Sequence, residues 1–174
     1  VASFINIMQR HCQEVRLATV AQSINVVGLI MVNQEGVWRE PVYWPLWMQV
    51  RHSGPVALDA WVECESFDEP SPSLSGMSYL DCSATIDPQR RKLYLSMVNH
   101  HRDETLETKG DTSDAAVSSE GRLHLLYHDH ALAMSSPGDP DNVRPHSESV
   151  DGLGSHFTWE LKPHSYAILQ LGLE

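Results

Sequence analysis

The stretch YLDCSATIDPQRRKLYLSMVNHH, residues 79–101, carries the alternation that decides the fold of most of the chain. Large apolar side chains recur at every second position of its second half: Leu93, Leu95 and Met97. Because successive side chains of a strand point to opposite faces, this period indicates a strand. The pattern predicts two strands, over residues 78–86 and 91–99, with a turn at Asp-Pro-Gln between them.

The same period continues on both sides of this stretch. Segments rich in Pro, Gly, Asp and Ser separate the apolar runs, as in DEPSPSLSG, SSPGDPDN and VDGLG. Many short strands joined by such turns are typical of a β-sandwich. Residues 56–174 are therefore predicted to form an antiparallel β-sandwich domain. Its further strands are predicted over residues 56–66, 102–109, 121–133, 155–162 and 164–171.

Residues 1–55 follow a helical period instead. Apolar side chains share one helical face at the start: Val1, Phe4, Ile5, Met8, Cys12 and Val15. RLATVAQ, residues 16–22, is predicted to be a strand buried on both faces, and Pro41 begins a second helix. Since this strand needs neighbours that the chain does not supply, and the first helix pattern runs from residue 1 without a cap, we expect a preceding portion of the polypeptide.

The net charge of −11 resides in the second segment of the chain. Residues 1–55 have a net charge of +1, whereas residues 56–174 have a net charge of −12. An acidic surface repels phosphate backbones, which disfavours nucleic-acid binding. The sequence also has no run of roughly 18 apolar residues, the length of a membrane span. We therefore expect neither a nucleic-acid partner nor a membrane.

The three cysteines lie in different predicted elements. Cys12 falls on the apolar face of the first helix and is predicted to be a buried free thiol. Cys64 and Cys82 fall on two predicted strands and are able to pair if the chain is secreted. The sequence alone leaves this disulfide open.

Two kinds of titratable cluster have the composition of a catalytic or metal site. His128-Asp129-His130 places two imidazoles on one face of a predicted strand, as a zinc site requires, but the pattern places no third ligand. A solvent-facing strand surface is therefore the favoured interpretation. Paired carboxylates suit glycoside hydrolysis, but this acidic surface offers many of them by composition. We predict no metal and no cofactor. The local carboxylate pairs are Glu63/Glu65 and Glu104/Glu107.

Gln22 and Asn25 lie where the predicted buried strand ends. Amides in such a place must be hydrogen-bonded, and in a β/α barrel the carboxyl end of a strand is where substrate binds. The pattern gives equal support to two interpretations: these amides contact substrate, or they are hydrogen-bonded to neighbouring backbone.

In aggregate, these residues resemble the α-L-arabinofuranosidases of glycoside hydrolase family 51. The stretch FINIMQRHCQEVRLATVAQSINVV is similar to the region around the last barrel strand of that family. YLDCSATIDPQRRKLYLSMVNHH is similar to two strands of the family's sandwich, although His100 replaces the usual arginine. The matching positions are Asn6, Arg10, His11, Ala21, Gln22, Asn25, Val26, Leu80, Asp81, Ser83, Ala84, Thr85, Val98 and Asn99.

The resemblance implies a mixed fold. Residues 1–55 would be the last β/α unit of a TIM (β/α)8 barrel, consisting of helix 7, strand 8 and helix 8. Residues 56–174 would be the C-terminal antiparallel β-sandwich, which is jelly-roll-like in that family.

The resemblance also implies the activity. Family members are retaining, exo-acting enzymes that release terminal arabinofuranose from arabinan and arabinoxylan by means of two glutamates. No glutamate here matches either, so we expect both on an N-terminal portion of the same enzyme. That portion and an arabinofuranosyl polysaccharide or oligosaccharide are the expected partners. Gln22 matches a glutamine that hydrogen-bonds the sugar, and with Asn25 it is the predicted substrate-binding pair.

Two further expectations accompany this interpretation. A polysaccharide substrate implies an extracellular, secreted protein. The alternative function is a non-catalytic β-sandwich that binds carbohydrate or has a structural role.

Overall fold

The computed structural model describes residues 1–68, 76–112 and 115–174. Two helices, α1 (Ala2–Arg10) and α2 (Tyr43–Arg51), lie in the first segment. No helix in these three ranges has the length and apolar character that crossing a membrane requires. The strands within the described ranges are β1 (Ile30–Val32), β2 (Val37–Arg39), β3 (Val56–Leu58), β4 (Ser66–Phe67), β5 (Met77–Ser78), β6 (Leu80–Asp87), β7 (Lys92–Asn99), β8 (Leu106–Asp111), β9 (Val117–Leu126), β10 (His146–Val150), β11 (His156–Leu161) and β12 (Tyr166–Leu173).

The strand pairing confirms the antiparallel, sandwich-like fold. Six strands form one sheet in the order β10-β9-β12-β7-β6-β3, and β11 pairs with β8 in a second sheet. β6 and β7 pair from Leu80↔Asn99 to Asp87↔Lys92, so residues 80–99 form a hairpin, as predicted. β12 lies between β7 and β9 at the centre of the large sheet.

Both faces of the central strand β12 are buried. Leu169 and Leu171 belong to the main core, where they pack with Leu161 of β11 from the second sheet. On the opposite face, Ile168 packs with Met48 of α2, and both side chains are wholly buried. The large sheet is thus covered by the second sheet on one side and by the helical segment on the other.

Both predicted helices form, although α1 is shorter than its apolar pattern. It ends at Arg10, and Cys12 lies in the following turn and is exposed. The prediction of a buried Cys12 thiol is therefore wrong for this structure. In α2, Pro45 lies in the first turn, where its missing N–H has no intrahelical partner to lose.

The predicted strand over residues 16–22 does not form. These residues are exposed and irregular, and the chain becomes extended only at β1. A strand buried on both faces needs a hydrogen-bonded neighbour on each side, and the described residues supply none at this position. The structure therefore does not show a unit of a (β/α)8 barrel.

Several strand boundaries also differ from the prediction. The segment 56–66 contains only the short β3 and the start of β4, while β9 ends at Leu126, before the His-Asp-His sequence. β10 was not predicted, since its sequence His-Ser-Glu-Ser-Val is mostly exposed and polar. Most of the turn predicted over DEPSPSLSG lies outside the described residues.

The connection from α2 to β3 runs against β6 at Gly54. A Cβ atom there would lie 2.1 Å from the carbonyl carbon and oxygen of Ile86, so only glycine fits. The Gly54 N–H donates to Thr85 Oγ1 at 2.9 Å. This contact joins the helical segment to the sheet.

Candidate functional site

A tight turn over residues 22–28 holds the two predicted substrate-binding amides. Gln22, Asn25 and Val26 have positive φ angles of 61°, 57° and 58°. A β-branched residue in this left-handed region is strained, so the surrounding bonds must impose the conformation at Val26. Ser23 supplies such bonds, because its carbonyl accepts from the N–H groups of Leu29 and Ile30 at 3.0 and 3.1 Å.

The structure brings Gln22 and Asn25 into one turn but gives them different surroundings. Asn25 Oδ1 accepts a hydrogen bond from the Val32 N–H at 2.7 Å, and the Asn25 N–H donates to the Ile30 carbonyl at 2.9 Å. Gln22 is exposed. Of the two interpretations of the sequence, backbone pairing therefore applies to the Asn25 side-chain oxygen, and Gln22 is presented outward.

Replacing Asn25 with alanine is expected to lower the free energy of unfolding by about 1–2 kcal/mol. The change removes the bond to Val32 and places a less tolerant residue at positive φ. Asn25→Asp keeps the accepting oxygen, and aspartate also tolerates a positive φ, so its free energy of unfolding should remain close to that of the wild type. Thermal unfolding of both variants checks this. If both variants lost the same stability, the Asn25 Nδ2 group, which both lack, would be the stabilising group instead of Oδ1.

A cluster of polar side chains, buried except for Arg10 and the partly buried Asp81, joins the helices to the large sheet, and we call it the polar junction. At its centre, Asn6 is wholly buried. Asn6 Oδ1 accepts from Ser96 Oγ at 2.7 Å and Ser83 Oγ at 2.9 Å, and Nδ2 donates to Asp81 Oδ2 at 2.9 Å. The members of the polar junction are Asn6, Arg10, Gln49, Asp81, Ser83, Ser96 and Tyr166.

The remaining contacts of the polar junction hold both helices. Arg10 Nη1 of α1 lies 2.7 Å from Asp81 Oδ1, and the Tyr166 hydroxyl donates to Gln49 Oε1 of α2 at 2.5 Å. Burial raises the pKa of Tyr166, which keeps the phenol protonated as the donor. The arrangement suits a fixed interface rather than proton transfer.

The three cysteines are free thiols, so the possible Cys64–Cys82 disulfide is absent from the structure. Cys82 is partly buried against the main core, where its Sγ donates a weak hydrogen bond to the Ser83 carbonyl. Burial, followed by the Asp81 charge, raises the pKa of Cys82 to about 12. A thiol so reluctant to ionise is a poor partner for disulfide exchange.

The His-Asp-His sequence lies in a turn after β9, at the rim of a cleft of about 420 Å³. The His130 N–H donates to His128 Nδ1 at 3.0 Å, so this ring nitrogen is engaged by the turn itself. His164 lines the same cleft, and its two ring nitrogens contact the carbonyls of Arg102 and His128. Within the described residues, no three His, Cys, Asp or Glu side chains converge as a metal site would require.

The carboxylate pairs named from the sequence are surface residues. Glu63, Glu65, Glu104 and Glu107 are all exposed. Retaining glycoside hydrolysis needs two carboxyl groups enclosed around one sugar, and exposed side chains do not supply that enclosure.

The role of Asn99 is evident only from the structure. Its buried Nδ2 lies 2.9–3.0 Å from the carbonyl oxygens of Glu104, Leu161 and Lys162, and its Oδ1 accepts from the His101 N–H at 2.7 Å. The sequence predicts only that a strand ends at this position. The available signal was a polar residue that interrupts the apolar face of β7.

Comparison with known proteins gives a consistent result. The α-L-arabinofuranosidase C-terminal domain matches residues 1–165. A probable α-L-arabinofuranosidase C of Aspergillus terreus is 28% identical over 98% of this chain and 33% of its own length. An intracellular exo-α-(1→5)-L-arabinofuranosidase of Halalkalibacterium halodurans is 25% identical over 99% of this chain and 34% of its own length.

The fold is also similar to a solved structure. The α-L-arabinofuranosidase from Thermotoga maritima, in an arabinose complex, superposes with a TM-score of 0.89 at 23% identity, over 99% of this chain and 37% of that protein. The chain thus spans about a third of the curated relatives that it matches. The expected extracellular location is wrong, because the H. halodurans relative is named as an intracellular enzyme.

Proposed function

Since this chain belongs to the α-L-arabinofuranosidase C-terminal domain family, we propose that it is the C-terminal part of a retaining, exo-acting α-L-arabinofuranosidase. The observation that carries the proposal is the family match over residues 1–165, which includes the helical segment and every strand of the sandwich before β12. The pairs Glu63/Glu65 and Glu104/Glu107 are exposed, and the proposal places the catalytic glutamates on the N-terminal portion instead.

The proposal assigns a role to each segment. Residues 1–55 complete a (β/α)8 barrel as helix 7, strand 8 and helix 8, and residues 56–174 form the sandwich domain. Exposed apolar side chains in the first segment support this assignment: Leu17 is 83% exposed, and Val26 and Val27 are 75% and 77% exposed. Such side chains suit burial against neighbouring barrel strands. The other barrel strands and both catalytic glutamates then belong to the N-terminal portion.

In this proposal the turn over residues 22–28 borders the sugar site. Gln22 contributes an amide that positions hydroxyl groups of a terminal arabinofuranose, without transferring a proton. Asn25 supports it indirectly by tying the turn to β1. The two glutamates of the N-terminal portion would stand about 5 Å apart on either side of the anomeric carbon, as retention requires.

The proposed function is tested by assaying arabinose release. The complete polypeptide should release arabinose from arabinan, arabinoxylan and p-nitrophenyl α-L-arabinofuranoside. The 174-residue chain should release none. A complete polypeptide that binds these glycans without cleaving them would favour the non-catalytic sandwich instead.

Substituting Gln22 with alanine in the complete polypeptide should lower kcat/KM for the aryl arabinofuranoside by about tenfold or more. The expected loss arises because one positioning contact disappears while the fold is retained, so the thermal midpoint should not change. Gln13→Ala, another exposed glutamine that follows α1, is the matched control. Wild-type kinetics in the Gln22 variant would remove this residue from the sugar site.

A further inference from the structure

Two histidine rings stack on each other where α2 meets the large sheet. The His52 ring, directly after α2, lies 3.5 Å from the His124 ring of β9, measured between centroids, and the planes differ by 16°. His124 is only 4% exposed, and its Nδ1 lies 2.7 Å from Ser147 Oγ of β10. Its Nε2 is buried and makes no hydrogen bond of ordinary geometry with any described residue.

The charged groups that act on this pair are cations. Arg51 approaches from α2 and Arg122 from β9, while Gln170 of β12 contributes a neutral amide. Burial and then the two guanidiniums lower the pKa of His52. Burial, then His52 and then Arg122, lower the pKa of His124 to about 4, against a smaller opposing effect of Gln170. A second proton on either ring would therefore face a neighbouring cation, and only at His124 does a smaller effect, that of Gln170, oppose this penalty.

We propose that the stacked His52–His124 pair is an acid-sensitive latch. The neutral rings hold the C-terminal end of α2 on the sheet, and their protonation separates α2 and the connection to β3 from β9. The latch does not depend on the proposed arabinofuranosidase activity, because it concerns only the seating of the helical segment on the sandwich.

The direction of the effect follows from linkage. Both folded-state pKa values lie below the usual histidine value of 6.5, so the open state binds more protons than the closed state. The stabilising contribution of the pair is complete above about pH 6.5 and is lost as the pH falls toward 4. At about pH 5, local opening should be favoured on the order of tenfold over neutral pH.

Hydrogen–deuterium exchange of the complete polypeptide provides the test. After correction for intrinsic rates, peptides that cover residues 43–58 should lose protection about tenfold or more between about pH 7.5 and pH 5. Peptides from β12 should lose less protection over the same pH interval. His52→Phe, which keeps a stacked ring without a proton, should reduce the acid-dependent loss, and His52→Phe/His124→Phe should abolish it.

The matched control is His146→Phe, because His146 is an exposed histidine on the neighbouring strand β10. It should retain the full acid-dependent loss of the wild type. If the double variant does not fold, the His52→Phe variant alone still decides the result. Unchanged protection of the wild type in acid would overturn the latch, as would an acid response of the same size in His52→Phe.

Discussion

Replacing Asn6 with leucine is expected to lower the free energy of unfolding by about 3 kcal/mol. Asn6 is wholly buried, and leucine offers neither its acceptor nor its donor. The hydroxyl groups of Ser83 and Ser96 would lose a partner, and Asp81 would keep only the Arg10 contact. Because the shape is roughly preserved, the loss reports unsatisfied polar groups rather than a cavity.

Chemical denaturation or thermal unfolding of the complete polypeptide measures this effect. Gln34→Leu, which exchanges an exposed amide for the same side chain between β1 and β2, serves as the control and should change stability by less than about 0.5 kcal/mol. If Asn6→Leu were as mild as this control, the hydrogen bonds of the polar junction would make no net contribution, and apolar packing by Met48 would hold the helices instead.

The sandwich was predictable because its signal is local. In β7, Leu93 and Met97 belong to the main core, whereas Tyr94 and Val98 face α2, as the two-residue period requires. The predicted strand over residues 16–22 failed for a non-local reason. Its apolar composition describes a buried environment, but burial on both faces depends on neighbouring strands that the described residues lack.

The polar junction was less predictable than the sheets. The positions Asp81, Ser83 and Thr85 alternate along β6, and this alternation marks a polar face in the sequence. The alternation does not reveal that Asn6 binds this polar face, because Asn6 lies 75 residues from Asp81 and 90 residues from Ser96 in the sequence. A helical period identifies which face is covered, but not which polar atoms meet across the interface.

For the candidate site, the sequence identified the turn but not the function of each amide within it. Gln22 and Asn25 both follow an apolar run, and the run alone does not distinguish them. Both residues have a positive φ, so the distinction arises from the course of the chain, which brings the Val32 N–H within 2.7 Å of Asn25 Oδ1 and leaves Gln22 exposed. Asn99 shows the same limitation, since its three acceptor carbonyls come from two separate segments of the chain.

Replacing Asn99 with aspartate is expected to lower the free energy of unfolding by about 3 kcal/mol at neutral pH. The two side chains have nearly the same shape, but the carboxylate would face three carbonyl oxygens where the amide donates. Burial and these dipoles favour the protonated acid, so the folded-state pKa of Asp at position 99 should rise well above the usual value of about 3.9.

The sign of the pH dependence distinguishes this mechanism from simple misfolding. A carboxyl group whose folded pKa is raised stabilises the fold while it is protonated, and this contribution is lost as the pH rises through that pKa. The deficit of Asn99→Asp against wild type should therefore be smaller at about pH 5 than at about pH 8, by roughly 1 kcal/mol or more. Thermal unfolding at both pH values measures it, with the exposed Asn142→Asp as control. A deficit that does not change with pH would mean that the Asn99 amide is not the donor that joins these segments.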